Sequence, residues 1–293
     1  PQFIRSAISR RIEHVHAHFA TYPALLAWII ERLAGIPYSV TAHAHDIYVN
    51  QDLLPLVCDG AKRIIAISEF TKRETVAAWG VEPAKVVVIP HGAPPPEFRP
   101  ETPAEAAARP KEPPFFLFVG TTGPSKNARL LAAAFRLFKA RNPASPHRLV
   151  LAGPDGADRP WMEEHLGAAG LGPAVDFAGP VPPGRIHELY RRAFAVVLPS
   201  SGEGFALPAL EAMACGVPVA AVDAGALPEV VADAGLLARA EPEALAAELS
   251  RLVGEVGLRG RLVERGLERV KLYSWDKTAR ETLAVYDRVL ADG

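Results

Sequence analysis

The sequence predicts an α/β protein of two Rossmann-like, doubly wound parallel-sheet domains, with the N-terminal domain incomplete. Three observations carry this. Short apolar, β-branched runs alternate with segments of helical apolar period along nearly the whole chain. A single proline-rich stretch breaks that alternation. The 293 residues amount to about two ordinary domains.

Taken in order, Pro1–Arg11 reads as a helix leading directly into a strand over His14–His18. Tyr22–Ala34 carries Leu25, Leu26, Ile29, Ile30 and Leu33 at helical spacing, and Gly35-Ile36-Pro37 ends it. Tyr38–Ala42 and Arg63–Ile67 are further strands, Ser68 is placed to cap a helix over Glu69–Trp79, and Val86–Ile89 closes the half. Four strands joined by helices imply a parallel sheet, yet a doubly wound domain is expected to have about six. No glycine-rich loop after an opening strand is found, so the opening part of this domain is expected to be missing.

Residues 90–114 hold many of the 28 prolines and no apolar period, and read as an interdomain linker. The expected divisions are a partial first domain at 1–98, a linker at 99–114, a second domain at 115–274, and a C-terminal helix at 275–293 available to pack back on the first domain. In the second half, strand-like runs recur at Phe115–Val119, Arg148–Ala152, Val175–Ala178, Ala195–Leu198 and Pro218–Val222, with a weaker one at Gly235–Leu237. Helices fit between them: Ala128–Arg141 puts Leu131, Phe135 and Phe138 on one face and its basic residues largely off it.

Composition narrows the function. With 32 Lys+Arg against 33 Asp+Glu, the net charge of -1 gives no dominant nucleic-acid footprint. The two cysteines, Cys58 and Cys215, are far apart and fit neither a disulfide framework nor a thiolate zinc site, which suits a reducing cytoplasmic setting. No apolar run reaches the roughly 18 residues of a membrane span.

Two loops carry the chemistry. Phe115–Val119 runs into Gly120-Thr121-Thr122-Gly123-Pro124-Ser125-Lys126-Asn127 and then a helix, a junction that offers backbone N–H groups and the Lys126 ammonium to an anion. It lacks Walker spacing, and a solvated lysine with Asn127 capping the helix is the plainer alternative. After Ala195–Leu198 comes SSGEGFALPALEAMACGVP, whose glycines allow close backbone approach and whose Pro208 suits a first helical turn. Glu211 then lies among Ala, Leu and Met, where a carboxylate needs donors such as sugar hydroxyls. Surface placement of both Glu203 and Glu211 is the alternative.

Glu203 and Glu211 within SGEGFALPALEAMACGVPV resemble the E-x7-E signature of retaining, nucleotide-sugar-dependent glycosyltransferases of the GT-B fold, family 4. FVGTTGPSKN, VDFAGPV, IIAISEFTKRE and DAGALPEVV agree with the same family. The resemblance implies that Lys126, beside Gly120, binds the donor diphosphate, and that Glu211 accepts hydrogen bonds from the ribose. It implies that Glu203 contacts the transferred sugar, that Gly204, Phe205, Ala206 and Leu207 hold sugar and phosphate, and that Val181 lies beside the nucleobase. No divalent metal and no cofactor are required, in keeping with the lack of an Asp-x-Asp motif. Where many relatives carry an arginine and a further basic residue in the glycine loop, Thr121 or Thr122 and Ser125 stand here, and each missing cation weakens leaving-group stabilisation. His91-Gly92 stands where Asn-Gly is common at the interdomain hinge, with Gly92 keeping backbone freedom.

Five of the nine histidines fall in HVHAH and HAHD, at residues 14–45. Alternate strand residues share a face, so either pair could meet a metal, but no third ligand lies at usual spacing. The resemblance instead makes His43 the active-site histidine near the transferred sugar, with His18 in the same interdomain cleft, and leaves Asp46 either to orient a histidine or to cap a helix. His14 and His16 are left out as packed or surface imidazoles.

The expected activity is therefore hexosyl transfer with retention from a UDP- or GDP-linked sugar to a glycan or lipid-linked hydroxyl, in surface polysaccharide or glycolipid assembly. The expected place is the cytoplasm, with peripheral contact at the inner membrane face. Catalytic residues would be His43 and Glu203. The alternative is a nucleotide-sugar-binding fragment, binding UDP or GDP but turning over poorly without its N-terminal segment.

Overall fold

The computed structural model describes residues 2–43, 46 and 54–292. The chain divides into two compact units, Pro1–Gly92 with Tyr273–Gly293, and Ala93–Leu272.

In the first unit, the described residues form a parallel sheet of four strands, β1 (Val15–His18), β2 (Tyr38–Ala42), β3 (Arg63–Ala66) and β4 (Val86–Val88), in the spatial order β1-β2-β3-β4. Strand β2 is buried throughout because it is covered on both faces, which is why YSVTA shows no polar alternation. Helix Tyr22–Ala34 buries Ala24, Ala27 and Ile30, and ends at Gly35 in the left-handed region. Ser68 caps helix Glu69–Trp79, its hydroxyl accepting from the Thr71 N–H. The last helix, Trp275–Ala291, belongs to this unit: Val285 packs with Ile65 and Ile89, and the Thr278 hydroxyl donates to the Pro90 carbonyl at 2.7 Å. Gly92 is needed here for space. Its backbone is not left-handed, and a Cβ on it would stand 2.3 Å from the Trp275 nitrogen, so close approach rather than hinge freedom accounts for the glycine.

The second unit holds a six-stranded parallel sheet of β5 (Phe115–Val119), β6 (Arg148–Ala152), β7 (Val175–Gly179), β8 (Ala195–Leu198), β9 (Val219–Val222) and β10 (Gly235–Ala238). Its order, β10-β9-β8-β5-β6-β7, is that of a doubly wound nucleotide-binding sheet, with the reversal of winding between β5 and β8. Phe116, Leu117, Val196 and Val197 at that seam are fully buried.

Residues 99–114, expected as a linker, lie within this unit and contain helix Pro103–Ala108. A capping box starts it: the Thr102 hydroxyl accepts from Glu105 N–H while the Glu105 carboxylate accepts from Thr102 N–H. The division between units accordingly falls after Gly92 rather than near residue 99.

Candidate functional site

The reversal between β5 and β8 places two loops side by side at the carboxyl ends of the strands, where open α/β sheets bind ligands. Lys126 comes from the loop after β5 and Glu203 from the loop after β8. They meet: Lys126 Nζ donates to both Glu203 carboxylate oxygens, at 2.9 and 2.8 Å. Their side chains are 31% and 15% exposed, so the pair is reachable from solvent yet well supported.

The support is mainly backbone. Gly120 donates its N–H to Ala152 O and Gly153 donates to Gly179 O, which brings the ends of β5, β6 and β7 level and puts Val181, two residues past β7, at the same end of the sheet. Gly153 adopts φ +140°, and a Cβ there would lie 2.3 Å from the Gly120 carbonyl oxygen. Thr122 is buried and does not face a ligand; its hydroxyl accepts from Gly156 N–H at 2.9 Å and its carbonyl accepts from Asp158 N–H. Thr122, one of the two threonines that could stand in the place of a family cation, is thus a structural post, while Thr121 is exposed. Asn127 occupies the N-cap position of helix Ala128–Arg141 in the left-handed region, at φ +52°, and its side chain makes no capping hydrogen bond, contrary to the capping alternative.

On the other loop, Gly225 (φ +62°) packs against the Glu203 backbone and Ala226 N–H donates to Glu203 O at 2.8 Å, so the segment after β9 presents Glu203. Gly204, Phe205 and Ala206 are buried, Ala206 left-handed at φ +66°, and Leu207 begins helix Leu207–Ala214 with Pro208 in its first turn. Glu211 sits one turn in. The Tyr190 hydroxyl donates to it at 2.6 Å, and burial raises the carboxyl above its usual value although that hydrogen bond opposes the shift. Tyr190 itself is wholly buried, and its role escaped sequence reasoning because only tertiary packing brings helix Ile186–Arg192 to Glu211.

In the first unit, His43 and His18 are brought together, Nε2 to Nε2 at 3.0 Å, and the His91 ring stacks on His43 at 5.7 Å. Burial lowers His43 and His91 from 6.5 to about 4, with neighbouring imidazoles adding to the effect. Asp46 Oδ2 accepts from the N–H of His43 at 2.9 Å and of Ala20 at 3.0 Å, pinning the loop after β2 to the loop after β1. His14 and His16 both reach the Ser39 hydroxyl, His16 also that of Thr41, and Tyr286 packs on both rings. They are packed polar groups. His45 lies outside the described residues, and among those described no three His, Cys, Asp or Glu side chains are grouped to hold a metal ion.

Against known proteins, the family model described as "Glycosyl transferases group 1" matches residues 101–269, more than half of the chain. The chain belongs to this family. A second model, "Glycosyltransferase Family 4", matches residues 1–97 of this group 1 glycosyltransferase chain. Among curated relatives, the D-inositol 3-phosphate glycosyltransferase of Acidothermus cellulolyticus is 35% identical over 80% of this chain and 55% of its own length. That of Frankia alni is 32% identical over 94% and 74%. The chain thus spans little more than half the length of some of the relatives it matches. Among solved structures, sucrose-phosphate synthase from Thermosynechococcus elongatus has a TM-score of 0.83 at 24% identity, covering 100% of this chain and 78% of its own. Anabaena HepE in complex with UDP and glucose has a TM-score of 0.81 at 16% identity, covering 98% and 80%. These likenesses establish the GT-B fold.

Proposed function

We propose that this group 1 glycosyltransferase chain moves a hexose from a UDP- or GDP-linked donor to a hydroxyl acceptor with retention of configuration. The observation that carries the reading is the Lys126–Glu203 pair at the sheet's winding reversal, with Tyr190 and Glu211 beside it. A diphosphate displaces one carboxylate from Lys126 and takes up its charge. The freed Glu203 oxygens then accept from sugar hydroxyls. Glu211, given one donor by Tyr190, has acceptor capacity left for ribose hydroxyls.

In this reading Lys126, helped by the backbone of Gly204 to Leu207, is the countercharge for the leaving diphosphate, with no divalent metal needed. Once Lys126 has moved to the diphosphate, the Glu203 oxygens are committed to sugar hydroxyls, so retention through a front-face attack assisted by the leaving phosphate is preferred to a glycosyl-Glu203 intermediate. His43, neutral at pH 7, serves as hydrogen-bonding partner to the transferred sugar rather than as a charged acid. The acceptor has two candidate classes. A glycan or lipid-linked hydroxyl at the inner membrane face follows from the chain's resemblance. A phosphorylated cyclitol follows from relatives that carry the name D-inositol 3-phosphate glycosyltransferase.

A thermal-shift screen over UDP-, GDP- and ADP-sugars identifies the donor, and product analysis with each acceptor class decides the second question. Calorimetry on Lys126→Ala and Glu211→Ala should show nucleotide affinity at least about tenfold lower in each, the loss of a charge-assisted contact of roughly 1.5–3 kcal/mol. Unchanged affinity in both removes the donor-site assignment.

A further inference from the structure

The second unit has a cavity of about 500 Å³ at the opposite end of its sheet, lined by Arg109, Arg191, Arg192 and Arg259 with Glu101 and Glu112. Phe115, which opens β5, and Ala193-Phe194, which lead into β8, form its floor. The Lys126 and Glu203 loops leave the other ends of the same strands, roughly 16 Å away for a five-residue strand at about 3.3 Å per residue. The two places are separate.

Some of this charge is already used. Arg109 pairs with Glu101 at 3.3 Å, Arg192 with Glu112, and Arg191 with Glu105 at 3.5 Å. The last two pairs tie residues 99–114 to helix Ile186–Arg192. Arg259 is different: its Nε donates to the Phe194 carbonyl at 3.2 Å and its guanidinium lies over the Phe194 ring, but among the described residues no carboxylate pairs with it. Burial lowers its basicity, the mark of a cation short of a counter-ion. A shielded guanidinium is costly unless an anion meets it, and Arg191, only 13% exposed, adds a second shielded fork in the same wall. Four arginines line a space of small-ligand size; three of them meet a carboxylate of Glu101, Glu105 or Glu112, which leaves Arg259, among the described residues, as the unmatched charge.

We propose that this cavity binds a phosphate-bearing small anion, held by bidentate contacts from Arg259 and Arg191 with Arg192 at the mouth. Planar guanidinium forks match phosphate oxygens in pairs, which lysines at the same positions would not. The phosphate is carried either by a free phosphorylated metabolite or by an acidic lipid headgroup, and one set of residues reads both.

The test uses the full chain and inorganic pyrophosphate as probe, titrated calorimetrically at low salt in the Lys126→Ala background, which removes the donor-loop cation. A binding event is expected to persist there, to weaken at least tenfold on adding Arg259→Gln, and to recover in part with Arg259→Lys. Cosedimentation with phosphatidylcholine vesicles, with and without phosphatidic acid, separates the sources. Capture that depends on both phosphatidic acid and Arg259 assigns the phosphate to lipid; pyrophosphate binding without capture assigns it to a free metabolite. If Arg259→Gln melts below the assay temperature, Arg192→Gln is read instead, with a several-fold loss expected. Pyrophosphate binding and vesicle capture that are both absent, or both indifferent to these arginine substitutions, overturn the proposal.

Discussion

The two units hold their polar residues in opposite ways. In the first, imidazoles are gathered at the sheet and kept neutral: His16, His43 and His91 are each pushed by burial from 6.5 to about 4, with hydroxyls and other rings against them. In the second, the reversal of winding holds a formal ion pair, Lys126 with Glu203, and beside it a carboxyl whose basicity is raised. Neutral imidazoles suit hydroxyl recognition, whereas an exchangeable ammonium suits an anion. The same strand–helix alternation therefore supports two chemistries, set by what the loops carry.

The largest effect should come from the glycine contact that levels the strand ends in the second unit. Gly153→Ala places a methyl 2.3 Å from the Gly120 carbonyl at φ +140°. Backbone strain together with the overlap should cost about 3 kcal/mol or more, and should displace the Lys126 loop. Urea unfolding and nucleotide titration check both. A fully stable variant with unchanged nucleotide affinity would show that the loop does not depend on this contact.

Acid comes next, because Glu211 should respond with the opposite sign to the first unit's imidazoles. The three imidazoles have folded values below the unfolded 6.5, so the unfolded chain binds more protons between about 4 and 6.5. Their contribution is complete above pH 6.5 and is lost as pH falls towards 4. Glu211 works the other way: its folded value is raised, so its contribution is present below 4.5 and is lost as pH rises through the folded value. Melting followed from pH 7 to 4.5 should fall with acid, and His16→Asn should flatten that fall while Glu211→Gln does not. His147, also lowered to about 4, adds an acid-sensitive group to the second unit, so the contrast is one of numbers as well as sign. A melting temperature constant over the window would contradict the contrast.

Tyr190→Phe should have a middling effect. It leaves the Glu211 carboxylate in a half-buried place without its 2.6 Å donor, a loss of roughly 1.5–3 kcal/mol at neutral pH. Because the carboxyl is then held still less favourably as an anion, the penalty should shrink below pH 4.5. Nucleotide, if its ribose supplies the missing donor, should restore part of the stability. A penalty that stays the same with pH and ligand would mean that Tyr190 acts through packing alone.

What could be read from the chain follows the same division. Runs such as Tyr38–Ala42 and Phe115–Val119 are legible because β-branched or aromatic stretches start after Pro37 in one case and lie between Pro114 and Gly120 in the other. Lys126 and Glu203 stand out singly, as a basic residue at a strand–loop–helix junction and an acid in a glycine loop. That they touch follows only from β5 and β8 being neighbours, across 77 residues of chain. Tyr190 had no signal, since its hydroxyl is useful only once two helices pack. Thr102 and Glu105 do carry one, a capping box, but proline-rich composition around it hides helix Pro103–Ala108 in what looks like a linker.

The smallest test concerns the first unit alone. Ser68 is fully buried; its hydroxyl accepts from Thr71 N–H and donates to the Thr71 hydroxyl, both at 2.9 Å. Ser68→Ala removes the cap and leaves that N–H without its acceptor, a cost of about 1 kcal/mol at most sites and up to about 2 where the cap is buried. Ser68 and Thr71 belong to the first unit. Unfolding followed by nucleotide-induced stabilisation should therefore move while nucleotide affinity at 25 °C stays the same, if the donor residues are held by their own sheet. Affinity that falls in step with stability would instead show that the ion pair at β5 and β8 depends on the first unit's helix caps, and the separation of the two chemistries would be lost.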